Sequence, residues 1–594
     1  MTTLDISIAP PRPIDVIIPE QPKIGRYDDA VGKMLKAFSD GDHSQAAGWM
    51  FEILAGIESD SRGPQPDVAA EITQALHAVL TLFCRPDYVV PESLAKAWIW
   101  HNPTIANAIA YASDSTTDAY VASLEGQRQQ VFKSCVLLSP RNNGELRFTD
   151  LLKGAPGLAS GWFCQTIKTA FSGAINARCL DKLRRYCGQL DDRFAYVKDL
   201  QEPYFLATYF NDLKTESHVK QIVNAAVRKV APKIENGKPT GTIGVMTDLW
   251  MPGHSVYRTL KAYIEAIKPD YKLILISSIR GESDLDTSLF DRTIKLEFDG
   301  ENLNTEPLNG LGLDAMIYPD IGMTQSSIML SNIRIAPVQI MMTGHPVSTF
   351  GSEIDYFISG QLVENAEHQV NYTETLVRLP GFGATHAKPT YQPKGTPKDF
   401  DGVVINASWY GQKITRPFLE MVDSAIAEAG GKVRLQVFAG GAATSRGAFG
   451  AFMRDMGERI KSCEAMIYPH LSYDEYMAEM EKADFAIDCY PFAGSNTVSD
   501  NLWLRKPVVA LEGDRWFNRI GPAMLRAVGL GGLVAADVEQ FKGLIIDMVR
   551  HAHVRDAFAE DLRAADLDKA IYEPCGAEDF RSWLKSVLAG SRLA

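Results

Sequence analysis

The sequence predicts an α/β fold in which an all-α domain is followed by two tandem domains, each a doubly wound parallel sheet. Three observations carry this expectation. At 594 residues the chain is about four average domains long. Up to about Pro239 apolar residues recur at helical spacing, whereas from Gly241 short apolar runs alternate with amphipathic stretches. The alternating pattern then occurs as two series separated by a stretch rich in proline and glycine. With 46% hydrophobic and 22% charged residues, most of the chain is expected to fold.

Residues 1–25 carry prolines at 10, 11, 13, 19 and 22 and lack a basic segment followed by an apolar one. They read as a flexible tail rather than a secretory signal. The all-α domain is placed at 26–239. Ala30, Met34, Leu35 and Phe38 fall on one helical face, Ser39 to Asp42 interrupt it, and the pattern resumes over 46–57. Further helices are expected at 68–83, 91–99, 118–137, 157–176, 181–186 and 218–230. Only one hairpin-like unit is visible, so a long helical repeat array is not expected.

The first α/β domain is placed at 240–385, with strands expected at 242–248, 272–278, 293–298, 315–320, 336–343 and 356–359. The stretch 380–401 contains Pro380, Pro389, Pro393 and Pro397 with Gly381, Gly383 and Gly395, and reads as a linker. The second α/β domain, 386–594, is expected to carry strands at 403–408, 433–439, 465–468, 485–490, 507–512 and 533–536. A helix at 416–429 has Pro417 in its first turn, where a missing N–H costs nothing. Strands linked through helices imply parallel sheets covered on both faces. Ligands of such sheets bind at the carboxyl ends of the strands, so the residues just after them, facing a cleft between the two domains, are the candidates for chemistry.

Several function classes are excluded by what the chain lacks. The net charge of -13 argues against a protein that coats nucleic acid. Nowhere do 18 apolar residues follow one another, so no membrane-spanning helix is expected. The eight cysteines form no CxxC pair and no zinc spacing, and read as reduced core residues of a cytoplasmic protein. There is no Walker-type loop and no nucleophile elbow, which argues against an NTPase and an α/β-hydrolase. Two Asp-x-Asp strings, Asp284 to Asp286 and Asp566 to Asp568, do not follow a strand beside a phosphate turn, so no metal is expected.

The strongest local pattern is Asp488-Cys-Tyr-Pro-Phe-Ala-Gly494-Ser-Asn-Thr497-Val-Ser-Asp500. A strand ends in a turn of small residues and enters a helix, so the backbone N–H groups of Ser495, Asn496 and Thr497, backed by the helix dipole, suit a diphosphate. Asp500 lies one turn deeper on the same face, where a carboxylate accepts hydrogen bonds from ribose hydroxyls. The same spacing also fits an ordinary capped helix with a solvated Asp500. Lys413 follows the strand at 403–408 and precedes a helix, as a point charge for a leaving phosphate or as a solvated lysine. His254 and His345 sit in glycine-flanked turns after strands, and His470 after a third. Each suits orienting an acceptor or moving a proton, or a structural hydrogen bond.

The run Ser331-Asn-Ile-Arg334-Ile-Ala-Pro337-Val-Gln339-Ile-Met-Met-Thr-Gly344-His345-Pro346, followed by Asp355-Tyr-Phe-Ile-Ser, resembles the O-linked N-acetylglucosamine transferase family. It is closer still to the bacterial cytoplasmic branch, the protein N-glucosyltransferases that modify asparagine in adhesins. The resemblance covers about 240–590 and extends more weakly into the helical domain. It implies a GT-B fold and inverting, metal-independent transfer of a hexose from a UDP-sugar to a protein side chain, asparagine or else serine or threonine. No cofactor is implied, since the UDP-sugar is a co-substrate. The acceptor is a protein or peptide such as an adhesin or flagellin.

By motif, Lys413 resembles the lysine on the donor diphosphate. Asn496 and Thr497, beside Ser495, resemble the diphosphate-binding turn, and Asp500 the ribose-binding aspartate. Tyr476 falls where a ring packs near the uracil, with His470 and Tyr473 nearby. His254 and His345 match histidines on the acceptor and sugar side, and Asp248 is the nearby carboxylate for polarising an asparagine amide. Two departures touch that side: Gly440-Gly441-Ala442 stands where the branch has Gly-Gln-Ser, and an additional histidine is replaced around Trp250 and Met251. Glucose, galactose and N-acetylglucosamine all stay open as the donor sugar. Two other readings are a UDP-sugar transferase acting on a glycan, lipid or small molecule, and a catalytically silent protein-binding scaffold. Intact Lys413, Thr497 and Asp500 argue against the scaffold.

Overall fold

The computed structural model describes residues 25–60, 66–113, 116–168, 177–278, 285–440, 446–468 and 470–591. The tail up to residue 24, the end of the helix expected at 157–176, Asp284, Gly441 and Ala442 lie outside the described residues. The chain divides into two compact units. One comprises Met1–Ala195, Tyr410–Leu419 and Ala439–Lys461, and the other Tyr196–Trp409, Glu420–Phe438 and Ser462–Ala594.

The first unit is helical. Helices Asp28–Ser39 and His43–Glu58 form the expected hairpin, with Asp42 capping the second through the Gln45 N–H and Met34, Met50 and Leu54 buried. The helix expected over 118–137 is two, Asp118–Ala122 and Gln130–Leu137, because the chain turns through Gly126 at φ 75°. Helix Asn102–Ser113, which the sequence pattern does not mark, is buried on nearly every side. Helix Arg446–Arg459 packs against it, fixed by a buried Arg141–Asp455 ion pair at 2.8 Å and by Arg454 donating to the Ala110 carbonyl.

The second unit holds both sheets. The first contains β1 (Thr242–Met246), β2 (Lys272–Ser277), β3 (Arg292–Lys295), β6 (Leu313–Tyr318), β7 (Val338–Met341), β8 (Tyr356–Gly360) and β9 (Thr375–Leu379). Their order is β3-β2-β1-β6-β7-β8-β9, parallel throughout, and a small antiparallel hairpin joins β4 (Phe298–Asp299) to β5 (Asn302–Leu303). The second sheet runs β12-β11-β10-β13-β14-β15. Its strands are β10 (Val403–Ala407), β11 (Val433–Phe438), β12 (Glu464–Tyr468), β13 (Phe485–Ile487), β14 (Val508–Leu511) and β15 (Val534–Ala535). It too is parallel. Both orders reverse beside the first strand of the sheet, the switch points where ligands of such folds bind.

The first sheet buries Ile243, Val245 and Ile317 against Leu260 and Ile264 of the helix Ser255–Ile267. The last described helix, Ala577–Ser591, which the sequence assigns with the second sheet, adds Phe580, Leu584 and Leu588 to this same core. Its apolar face needs the contact, and Tyr263 meets Phe580 edge-on with ring centroids 5.7 Å apart. Where the chain leaves the first sheet, Gly383 crosses β8 so closely that a Cβ there would lie 2.4 Å from the Ser359 carbonyl carbon. Of the cysteines, Cys575 is exposed and Cys463 half-buried, so these two are not the core residues expected; the other six are buried. Among the described residues no helix is long and apolar enough to cross a membrane.

Candidate active site

At the end of β13 the Asp488 carboxylate accepts hydrogen bonds from the N–H groups of Cys489 at 2.9 Å and Gly494 at 2.7 Å, folding the loop back on itself. A Cβ on Gly494 would lie 2.0 Å from Thr497 Oγ1, so any larger residue would have to displace that hydroxyl. Helix Asn496–Trp503 follows. Ser495 occupies its N-cap position, yet the hydroxyl makes no capping hydrogen bond and lies 2.9 Å from His386 Nε2 instead. The Asn496 Oδ1 is buried without a hydrogen-bond partner.

Asp500 is 2% exposed, and its Oδ1 accepts from Arg258 Nη2 at 3.0 Å and from the Tyr473 hydroxyl at 2.8 Å. Burial pushes its carboxyl pKa up, and the Arg258 guanidinium opposes the shift. The same guanidinium stands 5.3 Å from the centre of the Tyr473 ring. Tyr473 and Tyr476 share the helix Tyr473–Met480, which opens with a Ser472–Glu475 capping box. Tyr476 meets Phe438 edge-on at 5.2 Å, and Phe438 stacks on Tyr468 at 4.8 Å. A wall of rings at the ends of β11 and β12 thus leads to Asp500. His470 is exposed in the loop before this helix.

The strand ends of the first sheet are arranged differently. Asp248, after β1, accepts from Ser277 Oγ at 2.8 Å, the Ser278 N–H at 2.5 Å, Ser278 Oγ at 2.7 Å and Ser326 Oγ at 2.5 Å. Four donors occupy both its oxygens. Its neighbour Asp320 is fully buried, with Oδ2 accepting from Thr247 at 3.0 Å and Oδ1 unpaired. Burial and the nearby Asp248 push the Asp320 pKa up to about 8.

His345 is 1% exposed and turned inward. Its Nδ1 donates to the Ile321 carbonyl at 3.0 Å, Nε2 is 3.5 Å from Thr208 Oγ1, and Phe205 packs on the ring at 4.5 Å. Burial, with the Lys220 charge nearby, pushes its pKa down to about 3. Beside it lies a buried charge cluster: Glu216, on helix Leu213–Arg228, binds Lys220 at 2.7 Å and Arg515 at 2.8 Å. Although burial raises the Glu216 carboxyl, the two cations hold it down to about 2.

His254 is half-buried and caps helix Ser255–Ile267, its Nδ1 accepting from the Val256 N–H at 3.2 Å. The neutral ring therefore carries its proton on Nε2, and burial lowers its pKa. Lys413 is half-buried in the short turn Gly411–Lys413 after β10 and belongs to the first unit.

The structure thus assembles Ser495, Asn496, Thr497, Asp500, Tyr473 and Tyr476 around one helix start. It adds Arg258 and His386, which the sequence reading does not select. Arg258 lies one helical turn after His254, a spacing that puts both on one face and marks it as a neighbour worth weighing. His386 stands alone among prolines and glycines, and nothing in the sequence pattern points to it.

No protein-family model matches the chain. It is 22% identical over 577 residues to the UDP-glucose:protein N-beta-glucosyltransferase of Actinobacillus pleuropneumoniae serotype 5b, covering 88% of this chain and 91% of that protein. This chain is thus similar along most of its length to a protein glucosyltransferase. A probable UDP-N-acetylglucosamine–peptide N-acetylglucosaminyltransferase SPINDLY from Hordeum vulgare is 26% identical over 259 residues. That match covers 43% of this chain and only 27% of the barley protein. A solved mutant of the Thermobaculum terrenum O-GlcNAc transferase superposes with a TM-score of 0.55 at 17% identity, covering 95% of this chain and 96% of that one. The fold is accordingly GT-B with a preceding helical region, and the resemblance carried by residues 331–346 holds.

Proposed function

We propose that this protein is an inverting, metal-independent glycosyltransferase that moves a hexose from a UDP-sugar to a protein side chain, asparagine first and serine or threonine next. The observation that carries this reading is the uncapped helix start at Ser495 to Thr497 leading into Asp500, in a chain related to protein glycosyltransferases. Phosphate oxygens suit N–H groups that no side chain caps, with the helix dipole behind them. The Asp500 carboxylate suits ribose hydroxyls, once its bond to Arg258 is shared, and the rings of Tyr473 and Tyr476 suit the uracil. In this reading 240–385 is the acceptor-side domain and 386–594 the donor domain.

Chemically, the acceptor attacks the anomeric carbon from the face opposite UDP as the bond to the diphosphate oxygen breaks. The departing charge is taken up by the helix start and, on the sequence resemblance, by Lys413. The acceptor, an asparagine nitrogen or a hydroxyl oxygen, passes one proton to a phosphate oxygen of the departing UDP as the new bond forms. His254, whose Nδ1 is committed to its own helix, is arranged to donate from Nε2 and so to orient an acceptor rather than to act as a base. We assign Asp248 and His345 structural parts, because both Asp248 oxygens and His345 Nδ1 are hydrogen-bonded inside the fold and the His345 ring is buried. His470 is kept as a rim residue of the nucleotide site. The setting is the cytoplasm, and the acceptor a surface protein such as an adhesin or flagellin.

The test is intact mass spectrometry of a mixed Asn/Ser/Thr peptide library incubated with UDP-glucose, UDP-galactose or UDP-N-acetylglucosamine, with EDTA present. The proposal expects one sugar added per peptide, placed by fragmentation. Hydrolysis of the UDP-sugar with no peptide product would favour a glycan, lipid or small-molecule acceptor. Neither signal would favour a silent scaffold.

A further inference from the structure

We propose that His386 is a positioning residue for the donor diphosphate: it draws the Ser495 hydroxyl away from the helix start and leaves that start open to phosphate. The inference rests on the donor-site reading above. A serine at an N-cap with extended backbone turns its hydroxyl onto the N–H groups of the first turn, whereas the Ser495 backbone stands in the helical region at φ -114° and ψ -74°. Ser495 does not, and its Oγ is 2.9 Å from His386 Nε2.

The ring is held there by its backbone. The N–H of Thr385 donates to the Thr259 carbonyl at 2.8 Å and that of Ala387 to the Arg258 carbonyl at 3.0 Å, so the residues on either side of His386 are pinned to helix Ser255–Ile267. The residue is 2% exposed, and Phe382 lies edge-on to it at 6.2 Å. One turn of that helix therefore reaches helix Asn496–Trp503 twice, through Arg258 to Asp500 and through His386 to Ser495.

The direction of the bond follows from the other nitrogen. Nδ1 is buried without a partner. An orphaned buried N–H is rarer than an unfilled acceptor, so the proton belongs on Nε2, which donates to Ser495 Oγ. The serine hydroxyl then keeps its own proton to donate outward, to a phosphate oxygen. Burial keeps the imidazole neutral, its pKa pushed down to about 3, so the ring acts as a fixed donor and not as a second cation.

The experiment is calorimetric titration of the full chain with UDP, for wild type and the variants His386→Ala, His386→Gln, Ser495→Ala and the His386→Ala/Ser495→Ala pair. With His386→Ala the Ser495 backbone is released to the extended N-cap conformation, the freed hydroxyl turns onto its own helix and competes with phosphate, and UDP binding should weaken about tenfold. His386→Gln, whose amide also donates, should recover most of the affinity. The double variant should bind no worse than Ser495→Ala alone, because the two residues act through one bond. In turnover, KM for the UDP-sugar should rise with kcat within about twofold. Wild type that binds UDP together with an unchanged His386→Ala, or with fully additive losses, would overturn this inference alone. Wild type that does not bind UDP would overturn the donor-site reading and the inference with it.

Discussion

The two sheets of this protein end in the same kind of residues and use them in opposite ways. After the strands of the first sheet, Asp248 holds four donors and His345 turns both nitrogens inward. After β13 of the second, Ser495 leaves its helix uncapped and Asn496 keeps an unpaired oxygen. Polar groups at a strand end are thus not a site by virtue of position. What separates the two is that Asp248 is satisfied by donors of its own sheet, Asp320 Oδ1 alone staying unpaired there, whereas the helix start at Ser495 and Asn496 is left without a cap.

The sharpest way to break that contrast is to open the buried charge cluster beside His345. Glu216→Ala strips the partner from Lys220 and Arg515, both buried, and should cost about 3–5 kcal/mol of stability in urea unfolding, the scale for breaking a buried ion pair. UDP affinity of the protein that remains folded should stay within about twofold. Loss of UDP binding at unchanged stability would place the cluster in the site instead.

Lys413→Ala should lower turnover by about 10²–10³ while the melting temperature holds, the scale for losing one preorganised charge stabiliser. Unchanged turnover would remove Lys413 from the reaction. Asp500→Asn keeps the Tyr473 contact but loses the charge facing Arg258, and should weaken UDP about tenfold in calorimetry. An equal loss on Asp248→Asn would erase the distinction between the two sheets.

A separate effect is in the pH dependence of stability. His345 and His386 are each pushed from 6.5 to about 3 in the fold, so between these values the unfolded chain binds protons that the native one does not. Their contribution is present above pH 6.5 and is lost as pH falls toward 3. Asp320 runs the other way: raised from 3.8 to about 8, it favours the fold at low pH and loses that contribution as pH rises to 8. In melting scans His345→Gln should flatten the acid side and Asp320→Asn the neutral side. Unaltered slopes would mean that these groups are solvated and the first sheet's end is open.

Much of this architecture was legible because its signals are local. The twelve apolar runs marked from the sequence all contain strands, the run 293–298 dividing between β3 and β4, and the change from helical spacing at Gly241 marks the start of β1. β9 escapes the sequence pattern because an edge strand half-open to solvent shows only a faint period in Thr375 to Leu379. Helix Asn102–Ser113 escapes it because burial on nearly all sides removes the amphipathic period. The glycine-serine turn and Asp500 stand within one short segment and could be read together. Arg258 and Asp500 are 242 residues apart, and His386 and Ser495 109 apart, and no local pattern encodes such pairings. The inward turn of His345 depends on Thr208 and Ile321, which the sequence places far from it.

The central claim is that the donor nucleotide binds at the second sheet. Hydrogen–deuterium exchange with and without saturating UDP tests it most directly. The account predicts slowed exchange over 494–503, with the segments carrying Tyr473, Tyr476 and Arg258 following. Protection at Asp248, Asp320 and His345 with none at 494–503 would contradict it.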